Sequence, residues 1–158
     1  MALVRILVDG YSLLHNWPEL APDQPRHSAA ARDALIQQLT HYQDAVGTPI
    51  TIFFDGTGRR GPASPPEGPS TVEVLYSRAG QTADQMIERA AHRFAAWGEV
   101  LAVTDDYAER DTVIALGGFA TPCRDFIHQV NAARREQTEA VAGHNRRERH
   151  RYHRHRSI

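Results

Sequence analysis

Five aspartates follow short apolar segments of this chain, or begin a helix that follows one: Asp9, Asp55, Asp84, Asp105 and Asp106. Carboxylates that crowd together repel one another, and a hard divalent cation such as Mg²⁺ or Mn²⁺ is the usual partner that offsets the repulsion. Such a cation lowers the pKa of a coordinated water and offsets negative charge on a phosphate under attack. The pattern therefore predicts metal-assisted hydrolysis of a phosphate ester, with no side chain needed as nucleophile.

Alternating strands and helices are expected to position these aspartates. Apolar, β-branched runs predict strands over 3–8, 48–56, 71–76 and 99–104. Helical spacing, caps and breakers predict helices over 28–46, 82–97 and 108–115, and from Thr121-Pro122 to about Arg135. This alternation is typical of an α/β fold, in which a parallel sheet lies between two layers of helices. Sites in such sheets form beyond the carboxyl ends of the strands, which is where all five aspartates are expected.

Three of the aspartates, Asp9, Asp84 and Asp106, are predicted to bind the cation and to act in catalysis. Asp84 also suits the first turn of a helix for electrostatic reasons alone. Glu88 lies one turn after Asp84 on the same helix face, so we expect it to assist, together with Asp55 and Asp105. For Asp55 the alternative is the ordinary turn chemistry of an Asp-Gly pair.

The charge of the chain is unevenly distributed. The net charge is -1, yet residues 1–133 carry 10 Arg against 16 acids and residues 134–158 carry 8 Arg against 3 acids. We therefore predict one compact domain over 1–135 and a basic Arg/His-rich tail over 136–158 that binds an anionic partner. The tail has no hydrophobic period, so it either extends the preceding helix or is solvated and disordered. The predicted contacts to the anionic partner, a nucleic acid in view of the resemblance given below, are Arg134, Arg135, Arg146, Arg147, Arg149, Arg151, Tyr152 and Arg154.

Composition excludes several other functions. All 18 basic residues are Arg, so there is no Walker A lysine and no lysine for Schiff-base chemistry. A single Cys123 excludes an internal disulfide and a cysteine zinc cluster. No apolar run is long enough for a transmembrane helix, and the acidic start of the chain does not resemble a signal peptide. We expect a cytoplasmic protein without a membrane partner.

The order and spacing of several motifs resemble the NYN domain family, and its YacP-like branch in particular. These motifs are VDGYSLLH (8–15), FFDG (53–56), Ser77 with GQTADQMIE (80–88), VTDD (103–106) and GG…PCRDFIHQV (117–130). The resemblance implies a PIN-like fold and an endonuclease that depends on Mg²⁺ or Mn²⁺. It also implies an RNA substrate, such as mRNA on the ribosome, and catalytic roles for Asp9, Asp84 and Asp106.

Two residues depart from the family pattern. Ser12 stands where the family usually has Asn, and Asp105 stands where it usually has Ser; both are treated as auxiliary site residues. They leave open a second hypothesis, a catalytically weak or inactive module that binds RNA or the ribosome. A DNA-directed flap-type nuclease would use the same carboxylates. A haloacid dehalogenase-type phosphatase is set aside, because it needs an aspartate where this chain has Tyr11, and a downstream lysine.

Overall fold

A computed structural model describes residues 3–56 and 72–156 of the chain, with the backbone alone for 142 and 144–156. Strands and helices alternate along it. The elements, in chain order, are β1 (Leu3–Asp9), α1 (Gly10–His15), α2 (Ala29–Val46), β2 (Ile50–Phe54), β3 (Glu73–Tyr76), α3 (Ala83–Phe94), β4 (Glu99–Val103), α4 (Tyr107–Ala115), β5 (Phe119–Thr121) and α5 (Cys123–Arg156).

The strands form one parallel sheet in the order β3-β2-β1-β4-β5. Strand β1 lies at the centre, where Asp9 pairs with Phe53 of β2 and Val8 pairs with Val103 of β4. All carboxyl ends of the strands therefore meet at one edge of the sheet, as the sequence predicted. Strand β2 is buried along its whole length, which agrees with its continuous apolar sequence.

Helices cover both faces of the sheet. Helices α1, α2 and α5 pack on one face, where Leu13, Leu35 and Phe126 join a core that includes Val8 and Ile52. Helices α3 and α4 pack on the other face against alternate strand residues, through Ile87, Val113, Leu7 and Ala102. The predicted α/β fold with three layers is thus confirmed.

Three elements differ from the predicted ones. Helix α1 was not predicted, because it spans only Gly10–His15 directly after Asp9. Strand β5 was not predicted either, since three residues carry too little periodicity, and its ladder with β4 forms only in the folded chain. Helix α5 runs past Arg135 to Arg156, so of the two alternatives for residues 136–158 the structure has the extended helix, and one continuous helix crosses the predicted boundary between domain and tail.

Candidate metal centre

Asp9 is the carboxylate at the centre of the sheet edge. It is the last residue of β1 and also the N-cap of α1, and its side chain is only 8% exposed. The backbone N–H of Ser12 donates to Asp9 Oδ1 at 3.3 Å, and Ser12 Oγ donates to Asp9 Oδ2 at 2.9 Å. The hydroxyl of Ser12 therefore orients the carboxylate from inside α1, so these two predicted site residues are in direct contact.

Asp84 approaches from the helix that follows β3. Thr82 caps α3 by a reciprocal pair of hydrogen bonds with Gln85, which fixes where the helix begins. Asp84 therefore falls in the first turn and is half-buried. A buried Ala83 and Ile87 on the same helix hold this turn against the sheet.

The third carboxylate of the site is Glu109, on α4. Its side chain is 1% exposed, and Thr104 Oγ1 donates to Glu109 Oε2 at 3.2 Å. The other oxygen, Oε1, is buried and has no hydrogen-bond partner within the described part of the chain. A buried acceptor without a partner is destabilising, so this oxygen is available either to a proton shared with a neighbouring carboxylate or to a cation.

Asp9, Asp84 and Glu109 each bring one carboxylate oxygen to the same point, and these three oxygens lie within 4.8 Å of one another. Burial raises the pKa of Glu109 to about 10, with further contributions from Asp84 and Asp9, while the bond from Thr104 opposes the shift. Burial also raises the pKa of Asp9 to about 6, opposed by the two bonds from Ser12 and reinforced by Asp84. Without a positive charge, this cluster holds protons that an isolated carboxylate would release.

These donors fit a hard divalent cation. Three carboxylates supply oxygen ligands only, which suits Mg²⁺ and Mn²⁺, and Glu109 Oε1 lacks any other partner among the described residues. Soft-metal chemistry is not supported, because burial raises the pKa of the Cys123 thiol well above its usual range. The arrangement can bind one cation and leave coordination positions for water and phosphate.

Sequence reasoning missed Glu109 and chose Asp106 instead. Asp106 is exposed and is the N-cap of α4, where its Oδ1 accepts the N–H groups of Ala108 and Glu109. It is not part of the three-carboxylate cluster, and its predicted metal role stays a prediction. Glu109 shares a helix face with buried Val113 one turn later, so an acid at an apolar position of α4 was the signal available in the sequence.

Asp105 links three elements at the rim of the site. Its Oδ1 accepts the backbone N–H of Cys123 at 3.0 Å, and its Oδ2 accepts Asn16 Nδ2 at 2.8 Å. Asn16 also donates to the carbonyl of Ser12. Asp105 therefore ties the start of α5 to the end of α1, close to the residue that orients Asp9.

The two remaining auxiliary residues lie in different places. Asp55 lines a cavity of about 390 Å³ together with Asp9, Ser12 and Asp84, and its Oδ1 accepts Ser77 Oγ at 3.0 Å. Glu88 is half-buried on α3 and is not among the residues that line this cavity. Of the auxiliary predictions, Ser12 and Asp55 thus lie at the cavity with the carboxylates.

An aromatic pair forms another wall of the same cavity. The rings of Tyr11 and His27 lie 4.4 Å apart, and Tyr11 also packs 5.0 Å from Phe54. Buried Arg32 donates from Nη1 to the Tyr11 hydroxyl at 3.3 Å and to the carbonyl of His27 at 2.7 Å. This wall is therefore fixed by packing and hydrogen bonds.

The predicted nucleic-acid contacts all lie on α5. Arg134 and Arg135 are both exposed, whereas the side chains at 146–154 are not described by the structure. Helix α5 starts beside Asp105 and rises about 1.5 Å per residue, which places position 146 roughly 35 Å along the axis from Cys123. The basic end of the helix is therefore remote from the carboxylate cluster.

No helix in the described ranges combines the length and apolar character needed to span a bilayer. The expected cytoplasmic location stays a prediction.

Comparison with known proteins identifies close structural relatives. The family model described as the YacP-like NYN domain matches residues 6–157. The uncharacterized protein YacP of Bacillus subtilis is 28% identical over 131 residues, which cover 82% of this chain and 76% of that protein. The crystal structure of Rae1 (YacP) from Bacillus subtilis superposes with a TM-score of 0.73 at 27% identity, covering 90% of this chain and 80% of that one. Its W164L mutant gives a TM-score of 0.72 at 27% identity, over 87% and 80% of the two chains.

Proposed function

Since this chain belongs to the YacP-like NYN domain family, whose model matches it from residue 6 to 157, we propose that it is a metal-dependent endoribonuclease. One observation carries the proposal. Three carboxylates converge within 4.8 Å at the carboxyl edge of a parallel sheet, and one buried oxygen among them has no partner in the described residues. Mg²⁺ or Mn²⁺ is the proposed cofactor, because the donors are oxygens only.

Each side chain has a distinct task in this proposal. Asp9, Asp84 and Glu109 hold the cation, Ser12 orients Asp9, and Thr104 orients Glu109. When bound, the cation would lower the pKa of a coordinated water and would offset negative charge on the phosphate. Asp106 stays a proposed site residue; its Oδ1 caps the helix that carries Glu109.

The proposal is tested with purified protein and single-stranded RNA. Cleavage should require Mg²⁺ or Mn²⁺ and stop with EDTA. Asp84→Asn and Glu109→Gln should each lower the rate by at least about a hundredfold, because each removes one charged ligand of the cation. Asp111→Asn, at an exposed position of α4, is the matched control and should cut normally. Activity that persists in EDTA would refute the metal mechanism.

Asp106→Asn separates two roles of that residue. Asparagine is as good an N-cap as aspartate, so the variant should fold normally. If Asp106 also binds the cation, its rate should fall as it does for Glu109→Gln. If it only caps α4, its rate should match that of Asp111→Asn.

The same experiment distinguishes the other two hypotheses. Salt-sensitive RNA binding without cleavage in either metal would select a binding module, the alternative raised by Ser12 and Asp105. Preferential cleavage of a DNA flap over single-stranded RNA of matched sequence would select a DNA-directed flap-type nuclease. Cosedimentation of the Asp84→Asn variant with ribosomes would test the expected ribosomal partner.

A further inference from the structure

A polar groove runs between α2 and α5, on the opposite face of the sheet from α3. The part of the groove nearest the start of α5 is a cavity of about 720 Å³, lined by residues of both helices and of the segment after α1. Four of its lining side chains are cationic or can become so: Arg124, His128 and Arg134 on α5, and His41 on α2. All four are exposed. Only Glu19 among the lining residues is acidic.

The two arginines of this groove have no ion-pair partner among the side chains that the structure describes. Within residues 3–56 and 72–141, neither Arg124 nor Arg134 makes an ion pair or a side-chain hydrogen bond. By contrast, Arg32, on the same face of the sheet, is buried and bonded to Tyr11. The groove therefore presents guanidinium groups to solvent, which suits the bidentate binding of phosphate.

Asn16 connects the groove to the residues around the proposed metal centre. It lines the cavity near the start of α5 and donates both to the Ser12 carbonyl and to Asp105. Ser12 in turn contacts Asp9. Farther along α5, a second cavity of about 540 Å³ shares His41 and Arg134 with the first and continues along the two helices.

We propose that this α2–α5 groove binds the phosphate backbone of the single-stranded RNA that the metal centre cuts. Arg124, His128 and Arg134 all line the groove from α5, and Arg124 and Arg134 are separated by about 15 Å along the axis. A strand that leaves the carboxylates over Asn16 enters the groove and runs in the direction of the basic end of α5. This inference rests on the proposed function, because a catalytic site for phosphodiesters is what identifies the ligand as RNA.

The test measures binding apart from cleavage. The probe is a fluorescent single-stranded uridine oligomer of about 12 nucleotides, a length within the range of known single-strand sites. Every protein carries Asp84→Asn so that the oligomer stays intact. Adding Arg124→Gln with Arg134→Gln should weaken binding roughly tenfold. It should also make the slope of log K against log[salt] shallower by about 1.4, since two phosphate contacts are lost.

The matched control is Arg89→Gln with Arg93→Gln, which removes two exposed arginines from α3 on the opposite face. This pair should leave both the affinity and the salt dependence unchanged. Equal losses in the two pairs would overturn the groove assignment. An equal loss of affinity for a poly-glutamate peptide would show a groove for polyanions in general and would overturn the RNA assignment.

Failure of the groove and failure of the proposed function are distinguishable. With Asp84 restored, RNA cleavage in Mn²⁺ reports on the metal centre, and thermal stabilisation by Mn²⁺ should be the same for both arginine pairs. If RNA is cut while the groove pair binds like the control pair, the groove inference falls and the function stands. If no RNA is cut while the groove pair still loses affinity for the oligomer, the proposed function falls and the groove remains as an RNA-binding surface.

Discussion

Glu109→Gln should stabilise the protein in the absence of metal while removing its response to metal. Burial and the neighbouring Asp84 raise the pKa of Glu109 from 4.5 to about 10. Folding at neutral pH must therefore place a proton on a carboxyl group that is ionised in the unfolded chain. Glutamine is close in shape to the protonated acid and carries no such cost.

The size of the effect follows from linkage. Because the folded pKa is raised, the stability associated with Glu109 is complete below 4.5 and is lost as pH rises toward about 10. Each pH unit in that window costs about 1.4 kcal/mol, so the variant should be more stable by about 3 kcal/mol at about pH 7. For a chain of this length, that corresponds to a rise in Tm of roughly 6–12 °C.

The assay is thermal and urea unfolding in EDTA at several pH values, for wild type, Glu109→Gln and the exposed control Asp111→Asn. The advantage of Glu109→Gln should shrink toward zero near about pH 4.5 and grow as pH rises. Adding Mn²⁺ should then raise the Tm of wild type and of Asp111→Asn but not that of Glu109→Gln. A difference that does not change with pH, or a Glu109→Gln variant less stable than wild type at about pH 8, would refute the reasoning.

Three further predictions concern the residues around the site. Ser12→Ala removes the hydroxyl bond that orients Asp9 Oδ2, so the pKa of Asp9 should rise further. The affinity for Mn²⁺, measured by calorimetry, should fall about tenfold. Thr40→Ala, which removes a hydroxyl away from the site, is the control. Asp106→Ala removes the N-cap of α4, so it should lower the free energy of unfolding, measured in urea, by about 1 kcal/mol. Asp106→Asn keeps the cap and should leave the free energy of unfolding unchanged. Equal losses in the two variants would count against capping. Gly10→Ala should destabilise the fold by about 1–3 kcal/mol, since an added Cβ would overlap the buried Phe54 ring. A neutral effect in the same assay would show that the ring can move.

Much of the fold was readable from local patterns. The apolar runs ending at Asp9, Asp55 and Asp105 predicted parallel strands, and their carboxyl ends do meet at one edge. The predicted helices over 28–46 and 82–97 correspond to α2, which ends before Gly47, and to α3, which begins after its cap Thr82. These signals depend on neighbours in sequence, through hydrophobic period, caps and backbone conformation, so one chain carries them without any knowledge of its fold.

The composition of the site depended on contacts between distant segments. The sequence indicated that Asp9 and Asp84 belong together, but it pointed to Asp106 as the third acid and missed Glu109, three residues later. Packing of α4 on the sheet turns Glu109 inward beside Thr104 and leaves Asp106 at the exposed cap, and this burial is not visible in the sequence. Strand β5 and the α2–α5 groove likewise arise only from tertiary pairing, since neither has a periodic signature of its own.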